Sequence, residues 1–291
     1  MTTDEAVTEP IGGPTARRMV LGGQLRRLRE AAGISREDAG YSIRASASKI
    51  SRLELGRVSF KHRDVTDLLS LYGVSDATER DAFLVMAGES NQPGWWHPYG
   101  DVLPPWFADY VGLEESASRL QTYEIYFVPG LLQTARYASA VIRQGLPESS
   151  AEEVDRRISL RLRRQQMFAK RENTRLWAVI DESILHRPIG GRDVLREQLR
   201  HLLEITALPN VSLQVVPFAL GGSAAEGAFT ILRFAESDLP DIVYLEHLCG
   251  AMYLDKTDEV EQYTKVANRL AVDARTPEDT RKFVADQLKR L

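Results

Sequence analysis

The hydrophobic and polar positions of the first 90 residues repeat with the period of short α-helices. Ala39 and Ile43 are four residues apart, so they lie on one face of a helix. Ile50 and Leu53, three residues apart, do the same in the next segment. Over 65–72, apolar residues recur at i, i+3, i+4 and i+7, which predicts a further helix. The pattern therefore predicts an all-α domain near the start of the chain.

Polar and glycine residues mark the limits of two of these helices. Ser35 and Ser46 each precede a helical segment, as N-cap residues do. Gly40 has no side chain to block a close helix crossing, and Gly56 can end the second helix in the left-handed conformation. A short helix, a tight turn and a second capped helix are typical of the helix-turn-helix motif that enters the DNA major groove.

The outward face of the second helix carries small or hydrogen-bonding side chains: Ala47, Ser48, Ser51 and Arg52. A solvated face usually carries Lys and Glu instead. Arginine can donate to both O6 and N7 of guanine, and serine can reach a base edge or a phosphate. We interpret this face as a base-reading surface. The alternative is a helical bundle whose basic face is only solvated.

Charge is distributed unevenly along the chain. The segment from Arg17 to Arg63 contains 12 Lys and Arg against four Asp and Glu, whereas the whole chain has 37 against 41. The remainder therefore has 25 against 37, and the basic excess is confined to the helix-turn-helix segment. This is the distribution that a surface for phosphates requires.

From residue 176 onward, apolar and polar positions alternate as they do in β-strands. Strands are predicted over 176–180, 211–217, 229–234, 242–246 and 251–254. Helices are predicted over 194–206, 258–272 and 277–291, and also over 113–145 and 151–171, with a turn at 129–134. The predicted fold class is α+β: an N-terminal all-α domain, a helical connector and a C-terminal mixed α/β domain.

Four segments follow from these patterns. Residues 1–16 are polar, lack an apolar signal region and are predicted to be a disordered arm. Residues 17–90 form the helix-turn-helix domain, and residues 91–112 form a linker rich in aromatic residues and proline. Residues 113–291 form an α/β domain for sensing or for partner binding. No apolar run approaches the length of a membrane span.

Aromatic and basic clusters are candidates for binding a partner or a ligand. In the linker these are Trp95, Trp96 and Trp106, which form either a groove or a strap that packs between domains. On the helix over 151–171 they are Arg161 and Arg164, members of an arginine cluster. The alternative for that cluster is a solvated face with ion pairs to the acids at 152, 153 and 155.

The segment Ile50–Gly56 is similar to the third-helix signature of the Xre-type helix-turn-helix family, and Gly33 lies at the usual break after helix one. The resemblance implies a five-helix domain in which Arg36 joins Ala47, Ser48, Ser51 and Arg52 in reading bases. It also implies phosphate contacts from Lys49, Arg57 and Lys61, and the basic excess adds Arg63.

The same resemblance implies an ion pair between Arg29 and Glu54, which would tie helix one to the recognition helix. One departure matters: the phage repressors of that family often carry Gln at the base-reading positions, where this chain carries Ser and Ala. Their operator sequences therefore do not carry over.

The turn over 129–134 and the segment 180–183, with the order of the C-terminal elements, resemble a bacterial group of antitoxin-like transcriptional regulators. Its members place an Xre-type domain before a domain of uncharacterised function, and many are encoded beside a small partner protein. The resemblance implies regulation through a partner or an effector and supplies no catalytic residues.

The sequence contains no motif for catalysis, a metal or a cofactor. It has no Gly-x-Ser-x-Gly elbow, no phosphate-binding loop and no histidine with metal-ligand spacing. The element order after residue 176 faintly resembles a phospholipase-D-like half domain, but none of the five histidines begins the His-x-Lys pair that such enzymes need. The single cysteine, Cys249, excludes an internal disulfide, suits a reducing cytoplasm and is expected to be buried and inert.

These observations predict a cytoplasmic, sequence-specific regulator that binds double-stranded DNA, acts as a homodimer and is not an enzyme. The C-terminal domain would mediate dimerisation and the response to a partner protein or ligand. One alternative is an antitoxin-like protein that sequesters a small partner and binds DNA for autoregulation. Another is an enzyme with a DNA-targeting domain, for which the sequence offers no set of convergent titratable groups.

Overall fold

A computed structural model describes residues 12–220, 227–236 and 238–291. The chain divides into two compact units. The first comprises Met1–Trp95 together with the short segment Ala235–Leu239, and the second comprises Trp96–Phe234 and Pro240–Leu291.

The first unit is built of helices. They are α1 (Pro14–Ala31), α2 (Arg36–Ser42), α3 (Ala47–Glu54), α4 (His62–Leu71) and α5 (Ala77–Ser90). Most of the predicted disordered arm, residues 1–11, lies outside the described residues. Residues 14–16 correct that prediction, because proline at the first helical position starts α1 there.

The core of the first unit lies where α1, α3 and α4 meet. It includes Leu21, Leu25, Ile50, Leu53 and Val65, each of which exposes 2% or less of its surface. Ile50 and Leu53 are the inward pair that helical spacing predicts on α3.

Helix α1 approaches α3 closely at a glycine. A Cβ atom at Gly22 would lie only 2.4 Å from the carbonyl oxygen of Leu53 and 2.6 Å from that of Glu54. Since both contacts are with backbone, no side-chain movement could relieve them. Gly22 therefore allows the two helices to pack at this distance.

The second unit is a mixed α/β domain. Its helices are α6 (Pro105–Ser116), α7 (Ala135–Gly145), α8 (Ala151–Ala169), α9 (Arg192–Ile205), α10 (Thr257–Asp273) and α11 (Pro277–Arg290). Its strands are β1 (Arg119–Glu124), β2 (Arg175–Asp181), β3 (Val211–Val216), β4 (Phe229–Arg233), β5 (Ile242–His247) and β6 (Gly250–Leu254). The α+β fold class is confirmed.

The six strands form one sheet in the order β3-β2-β1-β4-β5-β6. Strands β1, β2 and β3 run parallel, with α7 and α8 in the first crossover and α9 in the second. Strand β4 pairs antiparallel with β1, and β5 and β6 continue that antiparallel half. Strand β1 is therefore central, with a parallel neighbour on one side and an antiparallel neighbour on the other.

The two faces of the sheet have different coverings. Helix α10 packs on the face that carries Tyr123, Val179 and Phe229. Side chains alternate along a strand, so Thr122 faces the opposite side from Tyr123. Helix α6 packs on that opposite side, where the ring centroids of Tyr110 and Tyr244 are 4.3 Å apart.

Strand β1 corrects the prediction of a largely helical segment over 113–145. Four consecutive residues of this strand, 120–123, are buried. A central strand covered on both faces does not show simple alternation of apolar and polar residues, so its sequence lacks the usual strand pattern. The predicted linker over 91–112 also contains regular structure, since α6 begins at Pro105.

We expect Gly22→Ala to lower the free energy of unfolding of the first unit by about 1–3 kcal/mol, because the new methyl group meets backbone. Gly23→Ala is the matched control: its Cβ would have no atom nearer than 4.0 Å, and better helix propensity should stabilise α1 by up to ~1 kcal/mol. Urea unfolding of the full chain measures both. Equal effects of the two substitutions would show that the close crossing does not constrain position 22.

Candidate nucleic-acid interface

Two serine caps set the start of the helices that form the motif. Ser35 Oγ accepts a hydrogen bond from the backbone N–H of Asp38 at 3.0 Å, so α2 begins at Arg36. Ser46 Oγ accepts from the backbone N–H of Lys49 at 3.3 Å, so α3 begins at Ala47. Each cap satisfies a backbone donor that has no partner within its helix.

The turn between these helices is tight because glycine and a left-handed residue shape it. A Cβ at Gly40 would lie 2.7 Å from the carbonyl oxygen of Ala45. Arg44 adopts a φ of +56°, the one positive value at a non-glycine residue in the described part of the chain. After α3, Gly56 adopts a φ of +65°, as a glycine that follows a helix commonly does.

The outer face of α3 is formed by the side chains that do not enter the core. Ser48 and Arg52 are exposed, and Ala47 and Ser51 are half-buried. Within the described residues, Arg52 has no ion pair or hydrogen-bonding side-chain partner. Its guanidinium therefore keeps all its donors available for a partner outside the chain.

A buried carboxylate, Glu54, fixes α3 from behind. Arg29 on α1 donates to Glu54 through Nε and through Nη2, the latter at 3.2 Å, and the two side chains are 8% and 3% exposed. Arg29 Nη1 also donates to the carbonyl of Ile34 at 2.9 Å. Hydrogen bonding to Glu54 raises the pKa of Arg29. The pair thus connects α1, the loop after it and α3.

Arg36, a predicted base-reading residue, also contacts this carboxylate. Its Nε donates to Glu54 Oε2 at 3.0 Å, while its side chain remains 41% exposed. The structure therefore gives Arg36 a role inside the domain that the sequence pattern did not indicate. Its free Nη groups are the part of the side chain that can still meet DNA.

The predicted phosphate-binding residues fall into two groups. Arg57 and Lys61 are exposed on the segment after α3, and Arg63 is exposed and lies 3.6 Å from Asp67. Lys49 is different, because its Nζ donates to the buried carboxylate of Asp64 at 2.7 Å. Lys49 therefore ties α3 to α4, and a phosphate would have to share its ammonium group with Asp64.

The five candidates for partner or ligand binding differ in how far their side chains are buried. Trp96 is buried, and Trp95 and Trp106 are half-buried. Arg164 is buried in a bidentate ion pair with Glu114, with N–O distances of 2.8 and 2.6 Å. Arg161 is half-buried and donates to Gln133.

The proposed local ion pairs of the arginine cluster are not those that form. Arg156 pairs with Asp101, and Arg164 pairs with Glu114, both outside α8. Arg157 donates to the backbone carbonyl of Glu153 rather than to a carboxylate. Acids on the same helix are near in sequence, but tertiary packing brings other carboxylates closer to these guanidinium groups.

Cys249 was expected to be buried and is instead exposed, because it lies in the turn between β5 and β6. Across the described ranges, no three His, Cys, Asp or Glu side chains are grouped to hold a metal ion. No helix in these ranges is long and apolar enough to cross a membrane.

A capped helix pair on a basic helical domain, with donors on the outer face of its second helix, defines a helix-turn-helix DNA-binding domain. Residues 20–83 match the family model described as a helix-turn-helix domain. Residues 107–286, more than half of the chain, match the model described as "Domain of unknown function (DUF5753)". The chain therefore belongs to the DUF5753 family. Neither the curated proteins nor the solved structures include a match.

We expect Glu54→Ala to destabilise the first unit by about 3–5 kcal/mol, because it leaves the buried Arg29 without its carboxylate. Glu37→Ala is the matched control, since Glu37 is exposed on α2, and its effect should stay within about 0.5 kcal/mol. Thermal and urea unfolding of the full chain measure both variants. An unchanged transition for Glu54→Ala would show that this ion pair does not hold α1 to α3.

Proposed function

We propose that this protein is a sequence-specific, double-stranded-DNA-binding transcriptional regulator of the Xre type. The observation that supports it most strongly is the outer face of α3, where Ser48, Ser51 and Arg52 offer donors on a helix that buried contacts fix in place. Five helices and the pair between Arg29 and Glu54 support the Xre assignment. Such a regulator acts in the cytoplasm, where its DNA is.

The residues divide into base-reading and phosphate-binding groups. Arg52 would donate to a guanine edge, Ser48 and Ser51 would contact neighbouring base edges, and Ala47 would meet an apolar group such as a thymine methyl. Arg36 would read through its Nη groups. Arg57, Lys61 and Arg63 would bind phosphates. Lys49 would add to the positive potential at the DNA surface while it stays in its ion pair with Asp64.

The second unit would control assembly and response. It has its own core and its own sheet, and it lies in the acidic part of the chain, which phosphates repel. A single helix-turn-helix makes few contacts, so a homodimer that places two of them on DNA would supply the affinity. The second unit would carry that dimer contact and would receive a partner protein or ligand.

We expect Arg52→Ala to weaken binding to the selected operator by about 1–3 kcal/mol and to relax specificity at one base position. Lys61→Ala should weaken operator and random DNA about equally and reduce the dependence of log K on log salt by about one. The operator is first obtained by selection from random double-stranded DNA, and affinities are measured at several salt concentrations.

Arg200→Ala is the control for these variants, because Arg200 is exposed on α9 in the second unit. It should change neither operator affinity nor specificity. If Arg52→Ala weakened operator and random DNA to the same extent, Arg52 would not read a base. If selection returned no preferred sequence, the proposal of sequence-specific binding would be wrong.

We also expect the full chain to be a dimer, and its operator to contain two half-sites about 34–36 Å, one helical turn, or a multiple of it apart. Sedimentation of the free protein and of its operator complex measures the stoichiometry, and footprinting measures the spacing. A complex of one chain with one half-site would contradict the dimer.

A further inference from the structure

Two glutamates, near the ends of β1 and β5, lie on one face of the sheet in the second unit. Thr122 pairs with Thr230 and Thr230 pairs with Tyr244, so these residues form one row across β1, β4 and β5. Glu124 and Glu246 lie two residues further along β1 and β5, on the same face. Because two strand spacings separate them, their Cα atoms are about 10 Å apart.

The residue between the two glutamates on the neighbouring strand has a small side chain. If the pairing of β1 with β4 is continued by one residue, Ala228 lies between Glu124 and Glu246. Glu124 is half-buried and Glu246 is exposed, so both carboxyl groups can be reached from solvent. Tyr244 Oη donates to Glu246 Oε2 at 2.9 Å and so holds that carboxylate in place.

Arg161 on α8 lies near the two glutamates and interacts electrostatically with both. Arg161 Nη1 donates to Gln133 Oε1, and this is the one hydrogen bond that Arg161 makes within the described part of the chain. Arg164 lies beside it, but Glu114 neutralises that charge. Both guanidinium groups approach Gly130, where a Cβ would lie 3.9 Å from Arg161 Nε and 3.7 Å from Arg164 Nη1.

The titratable groups of this site are close but form no ion pair with one another. No ion pair joins Arg161 to Glu124 or to Glu246, and the carboxylate of Glu124 accepts no hydrogen bond from the residues that the structure describes. Burial raises the pKa of Glu124 to about 8, and the negative charge of Glu246 raises it further than Arg161 lowers it. Burial and the neighbouring Arg164 lower the pKa of Arg161 to about 10.

This arrangement differs from that of a structural ion pair. Buried charges that only stabilise a fold are paired and hydrogen-bonded, as Arg164 and Glu114 are. Glu124 and Arg161 interact across this site, yet each keeps hydrogen-bonding capacity unused, and with a pKa of about 8 Glu124 is mostly protonated at neutral pH when no guest is bound. A cation placed between Glu124 and Glu246 would favour the ionised form of Glu124, and an acceptor beside it would meet the free donors of Arg161, so the site suits a guest that is positive on one side and an acceptor on the other.

We propose that Glu124, Glu246 and Arg161 bind a small molecule with a protonated amine beside a carboxylate, as in a free α-amino acid. The ammonium group lies between the two glutamates, and the carboxylate accepts from the free donors of Arg161. That this molecule is the effector of the regulator rests on the proposed function. Its binding to the second unit does not.

The test uses the full chain without DNA and three matched probes. L-alanine carries both charged groups, ethylamine carries the amine alone, and propionate carries the carboxylate alone. A ligand that binds only the folded state raises the midpoint of thermal unfolding, and titration calorimetry measures its affinity. At millimolar concentration, L-alanine should raise the midpoint, ethylamine should raise it less, and propionate should leave it unchanged.

Substitutions at Glu124 and Arg161 test whether L-alanine binds at the proposed site. Glu124→Gln should weaken L-alanine at least tenfold, and Arg161→Gln should remove the advantage of L-alanine over ethylamine. Glu148→Gln and Arg163→Gln are the controls, since both side chains are exposed, and Arg163 lies on the same helix as Arg161. Both controls should bind L-alanine as the unsubstituted protein does.

Three results would overturn the proposal: no stabilisation by L-alanine, equal stabilisation by propionate, or full binding of L-alanine by a folded Glu124→Gln protein. Because no DNA is present, none of these results depends on the regulator function. A protein that bound L-alanine but selected no operator would retain this site and lose the proposed function instead.

Discussion

The buried carboxylate of Glu54 is the constraint on which the DNA-binding unit depends. An ionised carboxylate removed from water is stable only with several donors, and here Arg29 and Arg36 supply them. Since these donors come from α1 and α2 while the carboxylate belongs to α3, satisfying one charge fixes three helices. Glycine at position 22 then allows α1 to approach α3 closely enough for Arg29 to reach it. The side chains on the outer face of α3 are therefore not needed to hold the three helices together.

How much of this unit the sequence predicts depends on the range of each interaction. Caps and helical spacing are local, so Ser35, Ser46 and the inward pair on α3 follow from the sequence and agree with the structure. The partners of long basic side chains are not local. Arg36 and Lys49 were predicted to face DNA, and the structure shows that each also has a carboxylate within its own domain. Flexible side chains of this length can reach several partners, and only the packed geometry selects one.

In the second unit, one error concealed the candidate ligand site. The five predicted strands follow alternation and are present, but β1 is buried on both faces and was predicted as helix. Glu124 therefore had no assigned place, and its row with Glu246 could not be recognised. Arg161 was selected from the sequence as one of a cluster, but which of those arginines lacks a carboxylate is a property of the tertiary structure.

In the described part of the chain, each unit contains a buried arginine in an ion pair and a second arginine without one. The first kind supports the fold, and the second kind is a candidate for binding. Arg29 and Arg164 are buried, and each forms a bidentate ion pair with a glutamate. Substitution of either arginine should therefore affect folding first. Arg52 and Arg161 have no carboxylate partner among the described residues, although each lies on a helix whose neighbours are held by closed pairs. Because the supporting pairs remove side-chain freedom around the open donors, a ligand that meets those donors gives up less entropy on binding. Substitution of Arg52 or Arg161 should therefore alter recognition while leaving the fold intact.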